Sequence, residues 1–238
     1  MTKVIAHRGY TKNNPENTLS AFEEALSAGA HAIELDVHLT SDGELVVHHD
    51  YYLGNPDNGE GIIPDKDLSY IQTLTIGNKD KIPSLEDVFK LIGNKLQYEI
   101  ELKGFTEQFL LKVLSLVKRY ELLDVIEFTS PHVYALTKLK SLEALAKTGT
   151  FVAPLPVWMD KELGQTLAIN NALLGNIDVL HCPIELIDNE FIKKAHIRNL
   201  VVHAADCDTE ESILVAMSAG VDQFSTNELE LALALSNQ

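Results

Sequence analysis

The chain has little cysteine, little positive charge and no long apolar run. Its only thiols are Cys182 and Cys207, too few for the disulfide framework on which small exported domains depend, so a reducing compartment is expected. No stretch approaches the roughly 18 to 20 apolar residues of a membrane span. Lys and Arg total 19 against 35 Asp plus Glu, a formal charge of -16. That balance argues against nucleic acid as a partner and against stable association with an anionic membrane. The first predicted strand starts at Lys3 and leaves no room for an export signal, so the expected location is the cytoplasm. Internal repeats and low-complexity tracts are also missing.

What is present fits one large core: 238 residues, 45% of them hydrophobic, within the range of a single α/β domain spanning residues 1–238. Short β-branched runs predict strands at Lys3–His7, Ala32–Val37, Gln97–Leu102, Val125–Thr129, Lys147–Val152, Val179–His181, Leu200–His203 and Val221–Phe224. Between them, apolar residues recur three and four apart, as in Phe109, Val113, Leu116, Val117 and Tyr120, the period of one helix face. Alternating strands and helices imply a parallel sheet, and eight such units close into a (β/α)8 TIM barrel. Helix starts are expected at Asn14-Pro15-Glu16, at Ser84 before Glu86 and Asp87, and at Thr209 before Glu210 and Glu211. Helix stops fall at Gly29 and Gly220, and the Leu, Ala and Glu content of Glu228–Leu235 favours a last helix.

One segment departs from the alternation. Leu45–His49 reads as a strand, yet His38–Glu44 is too short for a parallel crossover, which takes a dozen or so residues. Ser41-Asp42-Gly43 is a turn signal, so a hairpin folding back over the second strand is expected. It opens an insertion, at about residues 38–82, between the second strand and second helix.

In such a barrel the C-terminal ends of the strands build the site. His7 ends the first strand, Glu34 and Asp36 lie near the end of the second, and Glu99 or Glu101 near the end of the third. Residues two apart on a strand share a face, so these carboxylates converge. They would repel one another unless a cation neutralised them, and oxygen donors suit Mg²⁺ or Ca²⁺. An acidic protein acting on a phosphate also needs a local cation to reverse the field. Histidines to move protons, carboxylates for a hard cation, and Arg8 and Lys103 for a phosphate are the parts of metal-assisted phosphodiester chemistry. His48 faces away from His49 by alternation, and is read with His38 as structural. Trp158 and Tyr51 either cover the mouth or are buried. His181-Cys182 and His203 with Cys207 offer zinc-type donors without finger spacing, and packed, reduced thiols are the plainer reading.

The motifs, taken in order, resemble the glycerophosphodiester phosphodiesterases of the phospholipase C-like barrel superfamily. They are His7 to Gly9, Pro15 to Thr18, Glu34 to Val37, Asp42 to Asp50, Ile82 to Val88, Glu101 to Lys103 and Gly220 to Asp222. The resemblance covers nearly the whole chain. It implies that His7 and His49 are general acid and base and that Glu34, Asp36 and Glu101 hold one divalent cation. Arg8 and Lys103 would contact the phosphate oxygens, with Glu16 orienting the loop after the first strand. The implied reaction, in glycerol and lipid metabolism, releases sn-glycerol 3-phosphate and an alcohol from a small glycerophosphodiester.

The chain departs from the family pattern where relatives carry Arg-Thr-Thr (here Tyr51 to Pro56), Trp-Thr-Val-Asn (Ala205 to Asp208) and Thr-Asp (Ser225 to Asn227). These positions bear on the substrate rather than on acid, base or metal. Alternative readings are a sphingomyelinase D-like or lysophospholipase D-like enzyme and a noncatalytic barrel that binds a phosphorylated ligand. An amidohydrolase would need a His-x-His after the first strand, which the chain lacks.

Overall fold

The computed structural model describes residues 2–54, 57–77 and 79–236. The chain opens with Lys3–Ala6 (β1), Leu19–Ala28 (α1) and Ala32–Leu39 (β2). Next come the short insertion elements Leu45–Val47 (β3), Tyr52–Leu53 (β4), Gly61–Ile62 (β5) and Leu68–Ile71 (α2). Leu85–Ile92 (α3), Gln97–Leu102 (β6), Glu107–Arg119 (α4), Ile126–Ser130 (β7), Val133–Leu142 (α5), Lys147–Phe151 (β8) and Lys161–Leu174 (α6) resume the alternation. It ends with Val179–Cys182 (β9), Asn189–His196 (α7), Val201–Ala204 (β10), Glu210–Ala219 (α8), Gln223–Thr226 (β11) and Leu229–Ser236 (α9).

The sheet runs β1, β11, β10, β9, β8, β7, β6, β2, and β1 also pairs with β2, so eight parallel strands close into the expected barrel. Alternation along each strand then sorts residues by polarity. Val4, Ile33, Leu35, Val37, Ile100, Leu102, Phe128, Leu180, Val202 and Phe224 are buried in the hydrophobic core with the helices. The intervening positions carry Glu34, Asp36, Glu99, Glu127, His181, His203, Gln223 and Ser225, all buried. They face the barrel axis: Gln223 on β11 reaches Glu127 on β7, four strands away in the closed sheet, at 3.0 Å. Where many barrels fill the interior with branched apolar side chains, this one fills it with ionisable groups.

The insertion begins as the hairpin expected from its length, β3 lying antiparallel on β2 through Val37–Val47, His38–Val46 and Leu39–Leu45. Val46, Leu53, Ile63, Ile71, Leu74, Ile76 and Ile82 form its own small core. This core presses the hairpin against the barrel wall and so fixes where His49 emerges. Asn55, Pro56 and Asn78 of this segment lie outside the described residues.

Ser84 and Asp87 cap α3 reciprocally, and Thr209 with Ser212 caps α8. The start expected at Asn14 is corrected, because Thr18 caps α1 by accepting from the Ala21 N–H at 3.3 Å. Residues 11–17 are turns, and the Asn14 amide contacts the Tyr10 carbonyl and Glu24 instead. The last barrel strand begins at Gln223, two residues later than expected. The Asp222 backbone still bonds to Lys3 and Val202, while its carboxylate accepts from the Val202 N–H at 2.8 Å and contacts His196 at 2.9 Å. Among the described residues no helix is long and apolar enough to cross a membrane.

Candidate active site

The turn after β1 is tight. The Gly9 N–H donates to the Ala6 carbonyl at 3.2 Å, and Arg8 and Gly9 take φ of 57° and 89°. A Cβ on Gly9 would lie 2.7 Å from the Ala21 Cβ and 2.8 Å from its carbonyl carbon, so only glycine lets the turn pack against α1. The turn aims Arg8 at the carboxylates. Its backbone N–H donates to Glu34 Oε2 at 3.0 Å, NH1 donates to both oxygens of Glu16 at 3.0 Å, and Nε stands 3.5 Å from Asp36 Oδ2. The Glu16 side chain thus holds the guanidinium itself.

Glu34, Asp36 and Glu101 come together because Asp36 and Glu101 are register partners on β2 and β6 and Glu34 shares their face. One oxygen from each lies within 4.8 Å of the others, a grouping able to hold a divalent cation. Lys103 stands between them, Nζ 2.8 Å from Asp36 Oδ1 and 2.7 Å from Glu101 Oε1. Asn17, at φ 58°, donates to Asp36 Oδ2 at 2.7 Å and accepts from the Asp36 N–H at 3.3 Å. Burial, reinforced by Asp36, Glu99 and Glu101, pushes the Glu34 carboxyl well above the usual range. Burial also opposes ionisation of Asp36, but Lys103, Arg8 and Asn17 outweigh it and hold that carboxyl low. Four acids (Glu16, Glu34, Asp36, Glu101) against two cations (Arg8, Lys103) leave the mouth short of positive charge. The three oxygen donors fit a hard divalent ion.

His7 is oriented by a relay. The Asn227 amide N–H₂ donates to Asp208 Oδ2 at 2.7 Å, and the Asn227 backbone N–H donates to Asp208 Oδ1 at 2.7 Å. The Asn227 oxygen therefore faces His7 Nδ1 at 3.1 Å and accepts its proton. A neutral His7 consequently carries its lone pair on Nε2, which points to the mouth 3.9 Å from Glu34 Oε2. His49, about one third exposed at the hairpin end, has Nδ1 3.0 Å from Asp50 Oδ1, leaving its Nε2 free for solvent or substrate. His48 is structural: Nε2 meets buried Asp57 at 3.1 Å and Nδ1 the Asp50 carbonyl at 2.9 Å. His38 contacts the His49 carbonyl at 3.4 Å, and burial lowers its pKa to about 4.

Seven of the eight sequence-derived site residues are linked by contacts at this end of the barrel, while the His49 side chain contacts Asp50. Three positioning residues escaped sequence reading. Asn17 lay inside a quoted motif, and Asp208 and Asn227 lay in stretches noted as departures; their roles needed partners distant in sequence. Glu99 sits one level below Glu101, inside the barrel, so it is Glu101 that groups with Glu34 and Asp36. Cys182 and Cys207 are buried and free, as packed thiols should be. His181 and His203 do not group with them, because their rings point inward and stack on each other at 4.0 Å. Trp158 and Tyr51 are both exposed, so neither is buried.

The chain is 40% identical over 163 residues to a glycerophosphodiester phosphodiesterase of Caldanaerobacter subterraneus, a match covering 62% of this chain and 65% of that protein. It is 43% identical over 116 residues to one from Bacillus altitudinis, covering 44% and 46%. The matches thus span under two thirds of these curated relatives. In three dimensions it superposes with TM-score 0.87 on an Oleispira antarctica phosphodiesterase solved with the product sn-glycerol-3-phosphate, at 24% identity, covering 100% of this chain and 98% of that one. A sequence model of the glycerophosphoryl diester phosphodiesterase family matches residues 7–231, so the chain belongs to that family.

Proposed function

We propose that this protein hydrolyses glycerophosphodiesters to sn-glycerol 3-phosphate and an alcohol, with His7 and His49 exchanging the protons. The observation that carries the reading is the meeting, at one barrel mouth, of the oriented His7 Nε2 with three carboxylates able to share a cation. The product bound in the Oleispira neighbour and the names of the curated relatives support the same substrate class.

A phosphodiester resists attack because its charge repels nucleophiles. Glu34, Asp36 and Glu101 would hold Mg²⁺ or Ca²⁺, which when bound supplies charge neutralisation and Lewis acidity toward a phosphate oxygen. Arg8 serves the nonbridging oxygens as a planar fork and Lys103 as a point charge. His7, its lone pair held on Nε2 by Asn227 and Asp208, takes the proton from the nucleophile as a new O–P bond forms. The nucleophile is water or the neighbouring glycerol hydroxyl; in the second case a cyclic phosphate forms and water opens it. His49 gives a proton to the departing alcohol oxygen as the old P–O bond breaks. Asp50 balances the charge of His49 while it carries that proton.

Residues 1–238 are read as one domain with an insertion at about 38–82. Two free, buried thiols and the strong acidic surplus support a cytoplasmic enzyme for small molecules, without nucleic-acid or stable membrane contact. The test is release of glycerol 3-phosphate from a panel of glycerophosphodiesters and choline lysophospholipids, with and without chelator. Chelator-sensitive release is expected. No turnover of any member, or turnover indifferent to chelator, overturns the reading.

A further inference from the structure

Below the mouth the barrel holds a second cluster that the reaction does not use. His181 and His203 sit on neighbouring strands, and Glu99 faces both across the interior: His181 Nδ1 lies 3.4 Å from Glu99 Oε1, and His203 Nδ1 lies 3.4 Å from Glu99 Oε2. These are too long for good hydrogen bonds. They match the spacing of two donor atoms on one small ion, since bonds of about 2.1 Å at tetrahedral angles put donors about 3.4 Å apart. His181 Nδ1 and Glu99 Oε2 are buried with no hydrogen-bond partner, although their residues are only 1% and 3% exposed. Orphaned donor atoms at such depth are costly unless something unites them.

The opposite edges of the rings are already committed. His181 Nε2 lies 2.7 Å from Glu127 Oε1, so its N–H donates there, and an ion would take Nδ1 in place of the second proton that Glu99 and Glu127 favour. His203 Nε2 lies 3.1 Å from Ser225 Oγ, and its Nδ1 accepts only a long contact of 3.3 Å from the Gln223 amide, which an ion would displace. A carboxylate behind a ligating imidazole is the usual outer support of a metal site. Glu127 is anchored in turn by Lys147 at 2.8 Å and Gln223 at 3.0 Å. Gly149 permits the approach, since a Cβ there would lie 2.6 Å from both Glu127 Oε1 and His181 Nε2.

We infer that Glu99, His181 and His203 form a second metal site, selective for a divalent transition ion of the zinc type and independent of the catalytic mouth. Two imidazoles and one carboxylate suit Zn²⁺ or Co²⁺, whereas Mg²⁺ and Ca²⁺ prefer oxygen alone. A cavity of about 170 Å³, lined by Lys3, Gln97, Glu99, Glu127, Lys147 and Gln223, reaches Glu99 from the N-terminal end of the barrel. The ion therefore has a route that does not pass the active site. Bound there, it ties β6, β9 and β10 together from inside and raises resistance to heat.

The test uses full-length protein stripped with chelator, exposed to Zn²⁺ or Co²⁺ and dialysed. Wild type and Glu34→Gln are expected to retain one equivalent, and Glu99→Gln to bind at least about tenfold more weakly, with Glu127→Gln losing about 10- to 100-fold in affinity through the outer support. X-ray absorption on zinc-loaded wild type needs no variant to fold, and should report two imidazole nitrogens at about 2.0 to 2.1 Å. An all-oxygen shell, no retained ion, or retention abolished by Glu34→Gln but untouched by Glu99→Gln overturns the site. None of these results depends on turnover, so they are separable from failure of the phosphodiesterase reading.

Discussion

The mouth and the interior of this barrel are both built from carboxylates and histidines, yet one is open and the other closed. At the mouth, Lys103 and Glu101 side chains keep 17% and 18% exposure and His49 keeps 36%, so substrate and solvent can reach them. One level lower, His181, His203 and Glu99 are at most 3% exposed, and the hydrogen bonds of the two histidines go to Glu127, Ser225 and Gln223. The same residue types thus serve chemistry where water enters and cohesion where it does not. Electrostatic pairs inside are worth more and are harder to break without damage.

The comparison can be broken at the top first. His7→Ala should lower kcat by about 10³-fold through loss of proton transfer while leaving the melting temperature near wild type; a loss of less than about tenfold would remove His7 from the chemistry. Glu34→Gln, or chelation, should cost roughly 10²-fold or more in rate with the fold intact, read by glycerol 3-phosphate release and circular dichroism. In the interior the balance should reverse. Glu127→Ala strips His181 of its buried partner and should destabilise the chain by roughly 3 to 5 kcal/mol in urea titrations, with kcat close to normal while the protein stays folded. Loss of rate without loss of stability would show that the two levels act as one site.

A third contrast concerns pH. Burial depresses His38 from 6.5 to about 4, so between those values the unfolded chain binds a proton that the native one refuses. The associated stability is complete above pH 6.5 and is lost as pH falls toward 4, on the order of 3 kcal/mol at about 1.4 kcal/mol per unit. His38→Gln should flatten that part of the stability profile; an unchanged acid limb would show that His38 is not its source. The smallest effect belongs to a helix end: Thr18→Ala should cost about 1 kcal/mol by removing the α1 cap, without altering the metal dependence of turnover.

Much of this organisation is visible along the chain. Strand alternation placed Glu34 and Asp36 on one face and Glu99 with Glu101 on another, the family resemblance selected Glu101, the brevity of His38–Glu44 required a hairpin, and the barrel followed from eight strands separated by amphipathic helices. Local chemistry suffices for all but the choice of Glu101, because the period of a strand and the reach of a short loop are properties of neighbouring residues. Other features exist only once the barrel closes. His7 meets Asn227 across 220 positions, Gln223 meets Glu127 across 96, and Asn17 clamps Asp36 through a left-handed turn. The inward convergence of Glu99 with His181 and His203 belongs with them. Such contacts depend on which strand becomes the neighbour of which, and on the radius at which eight strands meet. Sequence by itself therefore determined the kinds of groups and the strand ends that carry them. The tertiary structure decided which nitrogen of His7 holds its proton, and that His181 and His203, which the sequence set beside the two cysteines, share a buried chamber with Glu99 instead.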